Sequence, residues 1–177
     1  FVNKSNISGT YVFSLYDFFG STIDDKYELE IDKSTYFDYA YASITRLRSL
    51  TSFPITLLVD RKALEDQYML SLLDNIQKFD IKIEEVPVWF IQKYLTNNSR
   101  KQSREKHRYT YYNLYIFHPE FSKRYSKIVF LDIDTFVLRN IDELFCSNAH
   151  FAAAVRVNNV RSDFNSGVYL YSPHESD

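Results

Sequence analysis

The fold is decided by one stretch, Lys127-Ile128-Val129-Phe130-Leu131-Asp132-Ile133-Asp134-Thr135, in which uninterrupted apolar residues run directly into two carboxylates. An apolar run of this length is typical of a strand that is buried on both faces of a sheet. The change to Asp-x-Asp marks the carboxyl end of that strand. Open parallel sheets bind their ligands at this edge, so the stretch predicts a central strand and a site together.

The two carboxylates, Asp132 and Asp134, are separated by one residue. Side chains on a strand alternate between its faces, so we expect both to point to the same side and to reach one ion. Carboxylate oxygens suit Mg²⁺ or Mn²⁺, which keep open positions for water and substrate phosphates. The spacing is common by itself, and two solvated carboxylates at a strand end are the alternative.

Length and composition set limits on the class of protein. A chain of 177 residues with 18% aromatic residues can form a large core, and we expect one partial domain over residues 1–177. The net charge of -2 argues against a surface that neutralises nucleic-acid phosphates, so no nucleic-acid partner is expected. A single cysteine, Cys146, excludes an intrachain disulfide and a zinc site of several cysteines.

Apolar patterning along the chain predicts alternating strands and helices. Strands are expected at Thr10–Tyr16, Ile55–Val59, Ile81–Ile83, the run before Asp132, Phe151–Val157 and Gly167–Tyr171. Helices are expected at Tyr36–Leu50, Lys62–Phe79 and His107–Phe117, and a further helix start at Ser172, with loops or unpatterned chain over 17–35, 88–103 and His118–Glu120. This order predicts an α/β fold whose central sheet is mostly parallel and flanked by helices.

The chain contains three glycines, Gly9, Gly20 and Gly167, which cannot form a Walker loop or a G-x-G-x-x-G fingerprint. A divalent ion on the two carboxylates would instead neutralise a diphosphate leaving group. A phosphatase of the haloacid-dehalogenase type is a rival, because its Asp-x-Asp also follows an apolar strand. Its Thr stands two residues after the second Asp, whereas Thr135 follows Asp134 directly, which makes the rival less favoured.

Two linked segments resemble the glycogenin-like glycosyltransferases of family 8. One is residues 125–145, with Asp132, Asp134 and the run Asn140-Ile141-Asp142-Glu143-Leu144-Phe145; the other is Phe164-Asn165-Ser166-Gly167-Val168. The resemblance covers the chain from about Tyr39 to Pro173. It implies a GT-A fold and transfer of a hexose, with retention, from a nucleotide-sugar donor, usually a UDP-sugar. It also implies Mn²⁺ (or Mg²⁺) as cofactor and a glycan, a protein or a small molecule as acceptor.

The resemblance also implies roles for particular residues. Asp132 and Asp134 would be ligands of the metal and the diphosphate, the Ile133 backbone would lie near the ribose, and Asn165 and Ser166 would meet the donor sugar. The other donor-binding residues stand where the family contacts uridine, namely Ser14, Tyr16, Asp17 and Tyr39, with Tyr36 as an alternative to Tyr39 for stacking on the uracil.

Two departures from the family pattern bear on activity. Tyr111 stands where the family has a donor-contacting Lys, and Arg104 and Arg108 are cations close by in the sequence. The family's Asp-Gln segment and its H-F-x-G-x-x-K-P-W stretch, with a His metal ligand, would lie beyond Asp177. We therefore expect a domain that is incomplete at its C-terminus and inactive as this segment alone. A non-catalytic sugar-nucleotide-binding or scaffold domain is the alternative.

Targeting signals are sparse. Three Asn-x-Ser sequons, at Asn3, Asn6 and Asn97, would suit a secretory lumen. No stretch of the sequence approaches the length of an apolar membrane span. The compartment stays open between the cytoplasm and, for a full-length protein with an N-terminal anchor, the Golgi lumen. The oligomeric state also stays open.

Overall fold

The computed structural model describes residues 8–15, 33–95, 109–155 and 164–174. Within these ranges the strands are β1 (Gly9–Leu15), β2 (Ile55–Val59), β3 (Lys82–Glu85), β4 (Lys127–Leu131), β5 (Phe151–Val155) and β6 (Phe164–Tyr171). The helices are α1 (Lys33–Leu50), α2 (Gln67–Gln77), α3 (Val88–Leu95) and α4 (Pro119–Ser122), with a first 3₁₀ helix at Tyr109–Phe117 and a second at Asp142–Cys146.

The strands form one mixed sheet in the order β3-β2-β1-β4-β6-β5. β3, β2, β1 and β4 are parallel, whereas β6 is antiparallel to both β4 and β5. The predicted α/β class and mostly parallel sheet are therefore confirmed, and the arrangement is consistent with the GT-A fold that the resemblance implies. The final hairpin is the antiparallel part.

Two apolar cores cover the two faces of the sheet, which explains why β1 and β2 are buried along their whole length. Alternation along β1 sends Tyr11 and Phe13 to the core that includes α1 and α2, and Val12 to the core on the other face. That second core contains Phe130 of β4 and Phe90 of α3. The polar residues of these strands, Thr10, Ser14 and Thr56, are therefore buried too, and each makes a hydrogen bond within the protein.

The first two helices differ at their starts from the sequence prediction. α1 begins at Lys33, three residues before the predicted Tyr36. α2 begins at Gln67 instead of Lys62, because Asp66 caps it by accepting a hydrogen bond from the Met69 backbone N–H at 3.0 Å. Residues 61–65 form turns before this cap.

The segment 88–103 has no clear pattern in the sequence, but α3 occupies its first part. The sequence Val88–Leu95 is apolar at most positions and shows no clear period, so only packing reveals its inner face. Phe90 lies against Tyr115, with ring centroids 5.2 Å apart. His107–Phe117 was predicted to be an α-helix; its described part is the first 3₁₀ helix.

The predicted loop His118–Glu120 is instead the start of α4. Proline is favoured in the first turn of a helix, and Pro119 begins this one. His118 caps α4, because its Nδ1 accepts a hydrogen bond from the Glu120 backbone N–H at 3.3 Å.

At the C-terminal end, β6 begins at Phe164, three residues before the predicted Gly167. β5 agrees with the prediction up to Val155; the remaining two residues lie outside the described part, as does most of the helix predicted from Ser172. None of the helices in the described ranges has the length and apolar character needed to span a membrane.

Candidate functional site

The Asp-x-Asp sequence lies in a turn at the carboxyl edge of the sheet. β4 ends at Leu131, and the turn is closed by a 2.9 Å hydrogen bond from the Thr135 backbone N–H to the Asp132 carbonyl. The strand therefore ends where Asp-x-Asp begins, as predicted, but the expectation that strand alternation sets the directions of Asp132 and Asp134 is wrong. The backbone N–H of Asp132, directly after the strand, donates a hydrogen bond to the Gly167 carbonyl of β6 at 2.7 Å.

The two carboxylates differ in exposure and interact through their charges. Asp132 is half-buried and Asp134 is exposed. Burial first, and then the charge of Asp134, raises the pKa of Asp132 to about 6. The negative charges are thus close enough to repel each other, and a bound cation would relieve that repulsion. Between them, the Ile133 side chain is buried in the core and anchors the turn.

Gly167 on β6 brings two predicted site residues together. A Cβ at this glycine would lie 2.7 Å from Asp132 Oδ2 and 3.0 Å from Asn165 Oδ1. Asn165 Oδ1 also accepts a 2.8 Å hydrogen bond from the Gly167 backbone N–H. Because Gly167 has no side chain, the Asp132 carboxylate and the Asn165 amide can both approach its Cα. Ser166, between Asn165 and Gly167 in the sequence, is exposed.

Tyr169 is a residue near the site that the sequence reasoning missed. Its ring stacks on Phe130 with centroids 4.8 Å apart and on Phe117 with centroids 5.8 Å apart. Burial, and secondarily the charge of Asp132, raises the pKa of Tyr169 well above its ordinary value. The sequence does contain an indication of its place, because Tyr169 follows Gly167 by two residues on β6 and residues two apart on a strand share a face.

Ser14, predicted to contact uridine, has its side chain 5% exposed at the end of β1. Its hydroxyl donates a 2.5 Å hydrogen bond to Asn113 Oδ1 on the first 3₁₀ helix. The sequence pattern does not assign Asn113 to the site, although Asn113 lies in the segment that carries Tyr111. A donor contact of Ser14 stays a prediction.

α1 lies beside the chain that leaves the Asp-x-Asp turn. Arg46 donates hydrogen bonds to the carbonyls of Val137, at 3.3 Å, and Leu138, at 2.9 Å. Tyr39 precedes Arg46 by two helical turns, so it is on the same side of α1, and its side chain is 50% exposed. This placement is compatible with stacking on a base near the turn.

The Asn140–Phe145 part of the resemblance has a structural role at the opposite edge of the sheet. Asp142 is buried and accepts hydrogen bonds from Tyr11 Oη at 2.9 Å and Thr51 Oγ1 at 2.5 Å. Asn140 Nδ2 donates to Asp142 Oδ2 at 2.9 Å and to the Leu50 carbonyl at 2.6 Å. This network ties the segment after the turn to β1 and to the end of α1.

Several predicted site residues lie outside the described part of the chain. They are Tyr16, Asp17, Arg104 and Arg108, together with the side chains of Tyr36 and Tyr111. In the ranges that the structure does describe, no three His, Cys, Asp or Glu side chains are grouped closely enough to hold a metal. The metal-binding candidates are thus Asp132 and Asp134. Their hard oxygen atoms and mutual repulsion fit a divalent cation.

Comparison with known proteins gives two matches. The family model described as glycosyl transferase family 8 matches residues 24–172 of this chain. A segment of 51 residues, 29% of the chain, is 53% identical to Glycogenin-1 of Caenorhabditis elegans and covers 11% of that protein's length. The range matched by the family model contains the Asp-x-Asp turn, Asn165 and Gly167.

Proposed function

The chain belongs to glycosyltransferase family 8, and on that basis we propose that the protein transfers a hexose from a UDP-sugar to an acceptor with retention of configuration. The resemblance seen in the sequence is confirmed at the level of the family. The observation that best supports the finer proposal is the pairing of Asp132 and Asp134 in a turn at the carboxyl edge of the sheet, where α/β proteins bind nucleotides.

Asp132 and Asp134 would hold Mn²⁺ (or Mg²⁺). When bound, the cation would neutralise the donor diphosphate and stabilise the charge that grows on it as the sugar leaves. The protein positions these ligands unequally. The Asp132 carboxylate lies over Gly167, to whose carbonyl the Asp132 N–H donates a hydrogen bond, whereas Asp134 is exposed and accessible to an arriving metal–nucleotide complex.

The other residues of the site would recognise the rest of the donor. The Asn165 amide and the Ser166 hydroxyl are exposed and would hydrogen-bond to hydroxyls of the donor sugar. Tyr39 is exposed on α1 and would stack on the uracil. The Ile133 backbone, held by its buried side chain, would face the ribose.

The test is the Asp134→Asn variant of the full-length protein. It removes a negative ligand while keeping the shape of the side chain, so it should abolish Mn²⁺-dependent UDP binding. Because Asp134 is exposed and the change also removes its repulsion of Asp132, the metal-free variant should melt at a temperature no lower than that of the wild type. Calorimetry of UDP binding with and without Mn²⁺, together with a melting curve, measures both quantities.

Glu143→Gln is the matched control, because it neutralises another exposed carboxylate, one that pairs with Arg139 on the surface. It should bind UDP like the wild type. If Asp134→Asn retained Mn²⁺-dependent binding near the wild-type affinity, the metal assignment and the transfer mechanism built on it would be wrong.

A non-catalytic sugar-nucleotide-binding or scaffold domain is the second candidate, because Tyr111 replaces a cation that the family uses at the donor. A hydrolysis screen of the full-length protein against UDP- and GDP-sugars separates the two. Turnover of one donor supports the enzyme, whereas tight binding without turnover supports the binding domain. The screen also identifies the sugar.

The cellular location is a separate proposal. Location in a secretory lumen would be supported by glycans on Asn3, Asn6 or Asn97.

A further inference from the structure

The Ser14–Asn113 hydrogen bond is made near the carboxyl end of β1, the strand next to β4. β1 and β4 are parallel neighbours, and Val12 is paired with Phe130. Ser14 follows Val12 by two residues, as Asp132 follows Phe130, so both lie at the carboxyl ends of these neighbouring strands. Residues two apart on a strand share a face, so Ser14 is on the same face as Val12, toward the first 3₁₀ helix. Asn113 therefore lies next to the edge where the nucleotide is proposed to bind.

The bond also orients the Asn113 amide. The Ser14 hydroxyl donates to Oδ1 at 2.5 Å, which directs the carbonyl side of the amide toward β1 and its Nδ2 away from Ser14. Asn113 is half-buried, and its neighbours Tyr112 and Ile116 anchor the 3₁₀ helix in the second core. The amide is thus held on a supported backbone, while Ser14 has little surface left to offer a ligand.

We propose that Asn113 is a donor-binding residue whose Nδ2–H donates a hydrogen bond to an oxygen of the nucleoside diphosphate, and that Ser14 is the positioning residue that orients it. This inference rests on the proposed function and assigns a further residue to the same site. A neutral amide suits this position, because it offers N–H donors to an anionic ligand without competing with the cation for Asp132 and Asp134.

The experiment measures UDP affinity in the presence of Mn²⁺ for variants of the full-length protein. Asn113→Asp keeps the shape and can still accept from Ser14, but it loses both N–H donors and adds a negative charge. We expect its dissociation constant to rise about tenfold or more, and that of Asn113→Ala about fivefold to tenfold. Ser14→Ala should raise it by a smaller factor.

A double variant tests the positioning role. If Ser14 acts through Asn113, Ser14→Ala combined with Asn113→Ala should bind UDP no more weakly than Asn113→Ala alone, because the effect of Ser14 is already lost. If the dissociation constant of the double variant rose by the product of the two single factors, the positioning role would be overturned, because Ser14 would then act independently of Asn113.

Thr10→Val is the control, because it removes a buried hydroxyl from the same face of β1 at the opposite edge, where Thr10 contacts Thr56 and the Pro54 carbonyl. Its melting temperature should fall while UDP affinity stays unchanged.

The Asn113→Asp variant decides the outcome, also in the case that Asn113→Ala does not fold. If the folded Asn113→Asp protein bound UDP with wild-type affinity, this inference would be overturned and the proposed function would not. A wild-type protein that does not bind UDP would overturn the proposed function and this inference with it.

Discussion

At the scale of single residues, Gly167 connects the parts of the candidate site. Its φ is not positive, so glycine is not required by the backbone conformation. Glycine is required for space, because a Cβ at this position would lie only 2.7 Å from Asp132 Oδ2. The Asn-Ser-Gly run is therefore explained by packing between β6 and the turn.

Gly167→Ala should weaken Mn²⁺-dependent UDP binding by about tenfold or more, because the new methyl group would displace Asp132 Oδ2 from 2.7 Å and Asn165 Oδ1 from 3.0 Å. Both groups are ends of side chains near the surface, so the fold should be retained. Titration calorimetry and a melting curve check the two expectations. Unchanged affinity would show that the position of Asp132 does not control metal binding.

Gly9→Ala is the matched substitution at the other edge of the sheet. Its Cβ would lie 2.6 Å from Cδ1 of Phe145, a fully buried ring. Overpacking of this kind costs about 1–3 kcal/mol. We expect urea denaturation to show a lower free energy of unfolding for Gly9→Ala, while its folded fraction binds UDP with unchanged affinity. Gly167→Ala should instead lose affinity and keep its fold.

The carboxyl of Asp132 should make the metal-free protein sensitive to pH. Its folded-state pKa of about 6 lies above its ordinary value of 3.8, so its contribution to stability is present below about pH 4 and is lost as the pH rises through about 6. Metal-free Asp132→Asn should therefore melt higher than the wild type at about pH 7.5 and at the same temperature at about pH 4. A constant difference across this range would contradict the assignment.

At the scale of elements, the segment after the turn is held by the buried Asp142 network. Asp142→Ala would leave the hydroxyls of Tyr11 and Thr51 without their acceptor, and we expect the free energy of unfolding to fall by about 3 kcal/mol. Tyr11→Phe removes one donor and should cost about 1.5 kcal/mol. Urea denaturation measures both values, and a cost for Asp142→Ala no larger than that for Tyr11→Phe would contradict the network.

The elements differ in how far the sequence predicts them. β2 and β4 are mostly apolar and almost completely buried, so both strands were predictable. α3 was missed because an apolar stretch without a period does not show which face is inward. The turn at Asp132 was missed because it depends on where pairing with β6 stops, which is a contact with residues far along the chain.

The site shows the same limit. Asp132, Asp134 and Asn165 were identified from two sequence segments, and the structure brings Asp132 and Asn165 together over Gly167. The contact of Asn113 with Ser14 was not predicted, because it is a tertiary contact with no local pattern.

At the scale of the whole molecule, the mixed sheet places the proposed ligands of one metal–nucleotide complex on different elements. Binding to the folded state alone should therefore stabilise the whole protein. At UDP about a hundred times its dissociation constant, with Mn²⁺, the free energy of unfolding should rise by about 2.7 kcal/mol. EDTA should abolish this gain. A gain that persists in EDTA would mean that UDP binds independently of metal.

The insertion of β6 between β4 and β5 also has a consequence for the order of folding. A ribosome releases Asp132 and Asp134 well before Gly167 and Asn165, and the parallel strands β1 to β4 precede both members of the final hairpin. Pairing of β4 with β6 closes a long loop, which makes it a slow event relative to local structure. We therefore expect the nascent chain to expose its paired carboxylates before the proposed site is complete, and to gain the ability to bind a nucleotide only after β6 has paired with β4.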